Sequence, residues 1–356
     1  MTMVLTDDRH YTNIANVIRL KTGVSSRFMP SEMAQAIRGI QTGETDPDGL
    51  IDAIATDTVR TVLSGVLSGS ATSVPDNRFH DCVNVTGIDF PNCAAVGASA
   101  FIRCTSLASL SLPACTSVGA NAFEGCGSLV SADLPSCTLV SNAAFLSCTS
   151  LSVASIPLCS IVADFAFSNC RTLESIDLPS CETVGSAAFL NCRSLSIASL
   201  PVCQTVWSSA FMSCASLERI SLPSCTYVYK QAFTSCDTLS RANLPACSYV
   251  GPYAFTFCES LEAVNVGACT QIESHAFGFC TSLVSLYLLN GAMVPTLSSD
   301  AFDNTPLVDD QVGPGYFGTI YVLSDMYSAF VSNSQWSSLS ARLSSITLEE
   351  ALLLEV

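Results

Sequence analysis

Cysteine is the residue type best able to do chemistry in this chain of 356 residues. Nineteen cysteines follow one another at intervals of eleven residues, from Cys82 to Cys280. Zinc ligands usually lie two to four residues apart, and no Cys-x-x-Cys occurs here. An odd number of evenly spaced thiols also argues against a disulfide framework and favours a chain folded in a reducing compartment. We therefore interpret the cysteines as small buried hydrophobic residues.

Other catalytic patterns find little support. His10, His80 and His275 occupy unrelated positions and form no Ser-His-Asp or Cys-His arrangement. Residues 313–318 fit G-x-G-x-x-G, but they contain Pro and precede a strand-like segment instead of opening a helix. Carboxylates such as Asp177 recur on presumed strand positions without a second row for acid-base work. We expect no enzymatic activity, no cofactor and no metal.

Charge and hydropathy exclude further classes. The chain has 14 Lys+Arg against 30 Asp+Glu, a net charge of -16 that disfavours nucleic-acid binding. Half of its residues are hydrophobic (49%), yet no run of eighteen apolar residues predicts membrane insertion. The first ten residues carry Asp7 and Asp8 where a secretory signal would be basic and then apolar.

The cysteine spacing is half of a longer repeat. Phe recurs every 22 residues from Phe79 to Phe277, within the unit A-F-x-x-C-x-S-L-x-x-x-x-L-P-x-C-x-x-V-x-x-x. A period kept over ten units predicts a solenoid, in which each inward side chain stacks on its counterpart one coil away. Such a column accepts one size and shape, so the Phe, Leu and Cys columns are predicted core ladders. At about 4.8 Å per coil, the ten coils would form a rod about 50 Å long.

The repeat resembles a known family. Leu107, Leu110, Leu112 and Cys115 spell L-x-x-L-x-L-x-x-C, the core pattern of leucine-rich repeats. Together with A-F-x-x-C-x-S-L and L-P-x-C, it resembles the BspA-like leucine-rich repeats in a 22-residue form, over residues 74–288. The resemblance implies an α/β repeat fold, a right-handed solenoid of about ten repeats with short parallel strands, used for adhesion or recognition. Cysteine after L-P-x departs from the commoner form and changes the core packing.

Outside the solenoid the sequence has a different texture. The sequence predicts two short helices in residues 1–43. The segments YTNIANVIRLKTG and MPSEMAQAIRGI resemble an N-terminal attachment module of tailed-phage virion proteins. Residues 44–73 predict a linker or capping helix, and residues 289–356 resemble the C-terminal cap of the same repeat family.

Both flanking segments carry specific predictions. A helix is predicted over residues 48–67, where Val59, Val62 and Val66 at three-four spacing allow a short oligomerising coiled coil. The alternative is a helix that shields the first coil. In the cap, residues 318–323 predict a strand and residues 325–346 predict helical structure.

Exceptions within the ladder mark candidate binding residues. Large aromatic residues replace small ones beside the repeated Val in neighbouring coils, and we expect a cluster on one flank formed by Trp207, Tyr227, Tyr229, Tyr249 and Tyr253. Clustered exposed aromatics make protein or sugar contacts, although they also occur as variable surface or as an oligomer seam. A second candidate is the polar strand face formed by Ser111, Asp133, Ser155, Asp177, Ser199, Ser221, Asn243, Asn265 and Tyr287.

These features favour a non-enzymatic phage virion protein, assembled in the bacterial cytoplasm as a tail fibre, receptor-binding or decoration protein. Its solenoid would bind a host-surface glycan or protein, and residues 1–43 would bind other virion proteins, with a homotrimer as one possible assembly. The alternative is a bacterial cell-surface adhesin or a protein-binding scaffold of the same repeat family.

The buried-thiol interpretation predicts the behaviour of the cysteines in solution. All nineteen thiols should react with Ellman's reagent only after denaturation, because a packed core excludes the reagent. Substantial disulfide content in freshly purified protein would contradict assembly in a reducing compartment.

Overall fold

In the computed structural model, residues 64–309, 317–347 and 349–350 are described. They form a solenoid of parallel strands in which each coil adds one strand to each of two sheets. The sheets have 13 and 11 strands, or about twelve coils, so the solenoid prediction is confirmed and coils are added beyond the ten regular repeats.

Strands are numbered in chain order, and the odd-numbered strands with the last one form the larger sheet. The 13-stranded sheet contains β1 (Ser64–Ser68), β3 (Asn84–Asp89), β5 (Ser109–Ser111), β7 (Ser131–Asp133), β9 (Val153–Ser155), β11 (Ser175–Asp177), β13 (Ile197–Ser199), β15 (Arg219–Ser221), β17 (Arg241–Asn243), β19 (Ala263–Asn265), β21 (Ser285–Leu288), β23 (Thr319–Leu323) and β24 (Leu343–Ile346). The 11-stranded sheet contains β2 (Ser73–Val74), β4 (Ala95–Val96), β6 (Ser117–Val118), β8 (Leu139–Val140), β10 (Ile161–Val162), β12 (Thr183–Val184), β14 (Thr205–Val206), β16 (Tyr227–Val228), β18 (Tyr249–Val250), β20 (Gln271–Ile272) and β22 (Thr296–Leu297).

The register places equivalent residues directly beside one another. Ser175 pairs with Ile197, and Ile197 pairs with Arg219, so each step along the sheet is one 22-residue repeat. In the three-residue strands the middle side chain is buried and its neighbours face outward, as the two-residue period of a strand requires. Every position of the repeat therefore becomes a column along the solenoid.

The Phe column runs through the centre of the core. Neighbouring rings are stacked with centroids 5.0 to 5.6 Å apart, from Phe79 to Phe302. This spacing is close to the distance between hydrogen-bonded strands, so the rings and the sheets share one coil height. The core ladder predicted from the repeat is confirmed, and Phe302 extends it by one coil beyond the regular pattern.

Between the sheets, each coil turns through backbone in the left-handed region. In one coil, Asn121 and Gly125 have φ of 58° and 72°, and the N–H of Phe123 between them donates to the carbonyl of Ala144 in the next coil (2.7 Å). The same two positions have positive φ in every coil from Asn77 to Phe279. Residues 64–309 contain strands and turns without helix, so the α part of the predicted α/β fold lies in the described cap.

All nineteen cysteines are free and buried, as predicted. They form two columns whose thiols donate to backbone carbonyls. Cys104 Sγ donates to Phe79 O of the preceding coil (3.0 Å), and Cys115 Sγ donates to Ser117 O two residues along (3.2 Å). The thiol thus fills a small apolar space and adds a hydrogen bond to a backbone carbonyl.

The N-terminal helix prediction is wrong at its end. Residues 64–67 belong to β1, which pairs in parallel with β3 and buries Leu67 while Val66 faces solvent. Strand pairing satisfies the backbone of β3 at the edge of the sheet, a stronger constraint than the helical spacing of a few valines. Val66 therefore belongs to a strand and not to a helical stripe with Val59 and Val62, which lie outside the described residues together with the predicted module 1–43.

The C-terminal prediction is partly confirmed. Residues 319–323 form the predicted strand β23, followed by a 3-10 turn (Ser324–Met326), helix α1 (Tyr327–Ser332) and a second 3-10 helix (Ser337–Arg342). The last predicted helical residues, 343–346, instead form β24 because they pair with β23 and continue the sheet. Trp336 is fully buried against the final ladder ring Phe302, and its Nε1 donates to Pro295 O (2.7 Å). The described cap closes the ladder.

The thiol columns predict a loss of stability at alkaline pH. Burial, reinforced by neighbouring thiols, raises the pKa of Cys115 to about 11 and that of Cys137 to about 12, from a usual value of 9.0. Since the unfolded chain ionises first, the free energy of unfolding should be constant below about pH 8 and fall above about pH 9. The slope is up to about 1.4 kcal/mol per pH unit for each such thiol.

Urea unfolding between pH 7 and 10.5 under reducing conditions measures this slope. The double variant Cys115→Ala/Cys137→Ala should be less stable at neutral pH but should show a shallower alkaline decline. An unchanged slope in the variant would contradict the assignment of the decline to these thiols.

A matched pair of Phe substitutions separates the ladder from the turns. Phe165 is 45% exposed with φ 58°, whereas Phe167 is fully buried in the ladder. Because Asn tolerates left-handed backbone better than Phe, Phe165→Asn should raise the free energy of unfolding by up to about 1 kcal/mol. Phe167→Ala should lower it by about 3–5 kcal/mol. A large loss from Phe165→Asn, measured by urea unfolding, would show that the exposed ring is structural.

Candidate recognition surface

The described histidines pair with carboxylates of the solenoid. His80 Nδ1 lies 2.9 Å from Asp81 Oδ2, and Arg103 Nε of the next coil donates to Asp81 Oδ1 (2.8 Å). The hydrogen bond with His80 and the Arg103 guanidinium hold the pKa of Asp81 below its usual value. This cluster links the first two complete coils.

His275 lies near the C-terminal end of the solenoid. Its Nε2 is 3.5 Å from Asp300 Oδ2 and its Nδ1 is 3.7 Å from Asp303 Oδ2. The neighbouring Ser274 Oγ donates to Asp300 Oδ2 (2.8 Å) and is therefore engaged with a carboxylate. The geometry is that of a polar contact between coils. His10 and most of the G-x-G-x-x-G segment lie outside the described residues.

Within residues 64–309 and the described cap, no three His, Cys, Asp or Glu side chains converge as metal ligands. In the same part of the chain, no helix has the length and apolar character needed to cross a bilayer.

Four of the five predicted aromatic residues form one contiguous group. The rings of Trp207 and Tyr229 are parallel (3°) with centroids 4.5 Å apart, because the two residues occupy the same column in successive coils. The ring centroids of Tyr227 and Tyr249 lie 6.2 and 6.0 Å from that of Tyr229. Tyr227 and Tyr249 are also partners in the pairing of strands β16 and β18. We call Trp207, Tyr227, Tyr229 and Tyr249 the aromatic patch.

The aromatic patch lies at the surface. Trp207 is 40% exposed and Tyr227 is 46% exposed. Tyr249 is more covered, and burial, with the negative charge of Glu273 nearby, raises the pKa of its hydroxyl. The patch is therefore a partly desolvated surface of stacked rings.

Tyr253, the fifth predicted residue, contacts His275 (ring centroids 5.2 Å). A second exposed pair, Phe257 and Phe279, is stacked at 4.8 Å and escaped the sequence prediction. We call Tyr253, Phe257, His275 and Phe279 the flanking rings. The missed signal is the second position after the ladder Phe, where other coils have small or polar residues such as Arg103.

All four flanking rings have left-handed backbone, with φ between 49° and 62°. Bulky side chains seldom adopt this conformation, and most other coils place Ser, Asn, Asp, Ala or Gly at the same positions, with Arg103, Phe165 and Gln231 as exceptions. The last complete coils thus keep aromatic rings at the surface despite the backbone cost.

The polar strand face is a column of the 13-stranded sheet, as predicted, but it is partly covered. Asn265 is only 9% exposed and its Nδ2 donates to Asn243 Oδ1 (3.0 Å). Tyr287, next in the column, stacks on Tyr321 of the cap region at 4.7 Å. This face offers fewer accessible groups at its C-terminal end than the aromatic patch.

Among solved structures, the chain resembles several bacterial repeat proteins. The leucine-rich repeat protein of T. pallidum is 26% identical, with 36% of this chain and 65% of that chain covered and a TM-score of 0.34. A leucine-rich cell surface protein of Faecalibacterium prausnitzii A2-165 is 20% identical, with 76% of this chain and 86% of that chain covered and a TM-score of 0.37. A leucine-rich repeat protein of Bacteroides ovatus is 18% identical, over 77% and 88%, with a TM-score of 0.34. A comparison with curated protein sequences finds no match.

The repeat itself matches a family model. The BspA type leucine rich repeat region matches residues 72–196 and 204–313, in six copies. These residues are the coils whose Phe and Cys columns build the solenoid. Since the match extends over more than half of the sequence, the chain belongs to the BspA type leucine-rich repeat family.

Proposed function

We propose that this chain is a non-enzymatic recognition protein whose solenoid presents the aromatic patch to a protein or glycan on a bacterial surface. The observation that carries the proposal is the exposed stack of Trp207 and Tyr229, at a column where the other coils from Gly97 to Gly251 have Gly, Ala or Ser. Rigid exposed aromatics provide large contact area at a small entropic cost.

The residues that other coils have in the column of Trp207 and Tyr229 show which side chain close packing favours there. A Cβ atom at Gly185, one coil before Trp207, would lie 2.6 Å from the carbonyl carbon of Ala163, and a Cβ at Gly119 would meet Gly97 equally closely. Close coil packing therefore selects glycine in these coils. Since two coils abandon the small residue for rings that stay in contact with solvent, binding is the better explanation of the change.

The flanking rings support the same function by an independent route. An aromatic residue in left-handed backbone costs about 1–2 kcal/mol relative to glycine. Phe257 and Phe279 recover part of this through their stack, yet remain 44% and 38% exposed. Contact with a partner would bury these rings further, and this burial would offset the cost of the unfavourable backbone conformation.

Two settings fit such a protein. Membership in the BspA type family supports a bacterial cell-surface adhesin or a protein-binding scaffold. The resemblance of residues 1–43 to virion modules supports the other setting, a phage fibre, receptor-binding or decoration protein attached through those residues. In both settings the solenoid is the part that contacts the partner.

The proposal predicts that surface binding depends on the aromatic patch. The variant W207S/Y227T/Y229S/Y249T introduces residue types that the same columns have in other coils. Fluorescently labelled full-length protein should bind intact cells of a bacterial panel, or glycans of an array, at least about tenfold more strongly than this variant.

The matched control is V153S/I197S, which removes two exposed apolar side chains from the 13-stranded sheet. It should bind like the wild type. Equal binding by the patch variant, or an equal loss in the control, would contradict recognition through the aromatic patch.

A further inference from the structure

The flanking rings form two stacked pairs on two successive coils. Tyr253 contacts His275, and the ring centroids of Phe257 and Phe279 are 4.8 Å apart. Tyr253, Phe257 and Phe279 are exposed, and His275 is partly exposed. The coil before them has Gln and Ser at the same two positions. The two pairs therefore add a local apolar surface to the end of the solenoid.

Buried hydroxyl groups hold the backbone that carries these rings. Thr234 Oγ1 donates to the carbonyl of Tyr253 in the next coil (2.7 Å), and Thr256 Oγ1 donates to the carbonyl of His275 in the coil after that (2.6 Å). Both threonines are buried. The left-handed turns are thus fixed in the free protein, which lowers the entropy that a partner must remove on binding.

Carboxylates lie beside the flanking rings. Asp300 Oδ2 is 3.5 Å from His275 Nε2, and Asp303 Oδ2 is 3.7 Å from His275 Nδ1. Exposed Glu259 lies two residues beyond one of the stacked Phe residues. Residues 242–341 contain eight Asp or Glu residues and no Lys or Arg. The apolar surface therefore lies in a strongly acidic part of the chain.

We propose that the flanking rings bind a polypeptide segment of the partner in which apolar side chains lie next to Lys or Arg. This inference rests on the proposed recognition function and names the chemistry of the partner. The apolar side chains of the segment pack on the exposed rings, and its cations lie close to carboxylates such as Asp303 and Glu259.

Charge and backbone cost together select this occupant. A neutral glycan could use the rings but would gain nothing from the carboxylates, and an acidic partner would be repelled. A cation without apolar neighbours would leave the rings exposed and would not offset the cost of their left-handed backbone. Exposed Lys230 in the preceding coil reduces the local negative charge without reversing it. The net charge of -16 also attracts basic partners from a distance.

A display library of random dodecapeptides, panned at low salt on immobilised full-length protein, tests this inference. The comparison protein is the variant Y253N/F257N/F279N. Asn occurs in the same two columns as Asn121 and Asn191, and it tolerates left-handed backbone better than an aromatic residue. The variant should therefore keep its fold, which a circular dichroism melt checks.

We expect the peptides selected on the wild type to combine Lys or Arg with Leu, Ile, Phe or Trp. They should bind the wild type at least about tenfold more strongly than Y253N/F257N/F279N. The variant E259Q/D303N removes two charges with little change of shape, and it should weaken binding about threefold.

Phe165→Asn is the matched control. Phe165 is exposed with left-handed backbone in the column of Tyr253, but its neighbours in that column are Ala143 and Ala187. It therefore has no aromatic partner in its column, and the selected peptides should bind this variant as they bind the wild type.

The inference is overturned if the selected peptides bind Y253N/F257N/F279N as well as the wild type, or if they lack Lys and Arg. Failure to select any peptide that distinguishes the two proteins would overturn it as well. These outcomes are separate from failure of the proposed function, because W207S/Y227T/Y229S/Y249T retains the flanking rings and its binding to cells is measured without any peptide.

Discussion

The structure depends on one distance, the height of a coil. Hydrogen-bonded parallel strands fix it near 4.8 Å, and the ladder rings are stacked at 5.0 to 5.6 Å. A side chain that stacks at this height must fit the one above and the one below, and the Phe and Cys columns repeat a single residue type. The buried column in the middle of the larger sheet varies in size, as in Ile176, Ala198 and Ile220. The left-handed turns follow from the same constraint, because they direct backbone N–H groups toward the next coil where the sheets do not. The last coil has no further coil to cover its apolar core, and Trp336 in the cap covers it.

Cysteine suits the two corner columns because it combines two properties. Its sulfur is small and apolar enough for a fully buried column, and its S–H donates to a backbone carbonyl of a turn, as Cys126 does to Phe101, whose oxygen also accepts the N–H of Cys104. Alanine would remove this additional S–H donor, although the Phe101 carbonyl would still accept the N–H of Cys104 (3.1 Å), and serine would bring a more polar group into an apolar column. All nineteen cysteines are free and buried, so the thiols have a packing role in the solenoid.

The constant 22-residue spacing allowed most of the fold to be predicted from the sequence. Equal spacing identified the Phe and Cys ladders, and exceptions at one column identified Trp207 and Tyr229 as neighbours. The prediction was wrong where the repeat stops, since the helical spacing near Val66 gave no sign of the strand that covers the edge of β3. Sequence spacing did not show that Tyr253 contacts His275. Phe257 and Phe279 were missed because the backbone conformation that makes them unusual is visible only in φ.

Strict columns give deviations a meaning that they lack in an irregular fold. A coil that replaces glycine with Trp207, or Ser with Phe257, departs from the residue that packing and backbone favour, and the new ring stays near solvent. Under the proposed function, these rings serve recognition and contribute little to the free energy of folding. Because each coil contacts only its neighbours, such changes remain local, and the surface can vary without altering the ladder beneath it.

The most direct test is the free energy of unfolding of W207S/Y229S against the wild type, measured by urea titration with circular dichroism. Loss of one exposed aromatic stack should cost no more than about 1.5 kcal/mol. A loss above about 4 kcal/mol, the size expected for a buried ladder residue, would mean that the rings are part of the core and would contradict the recognition account.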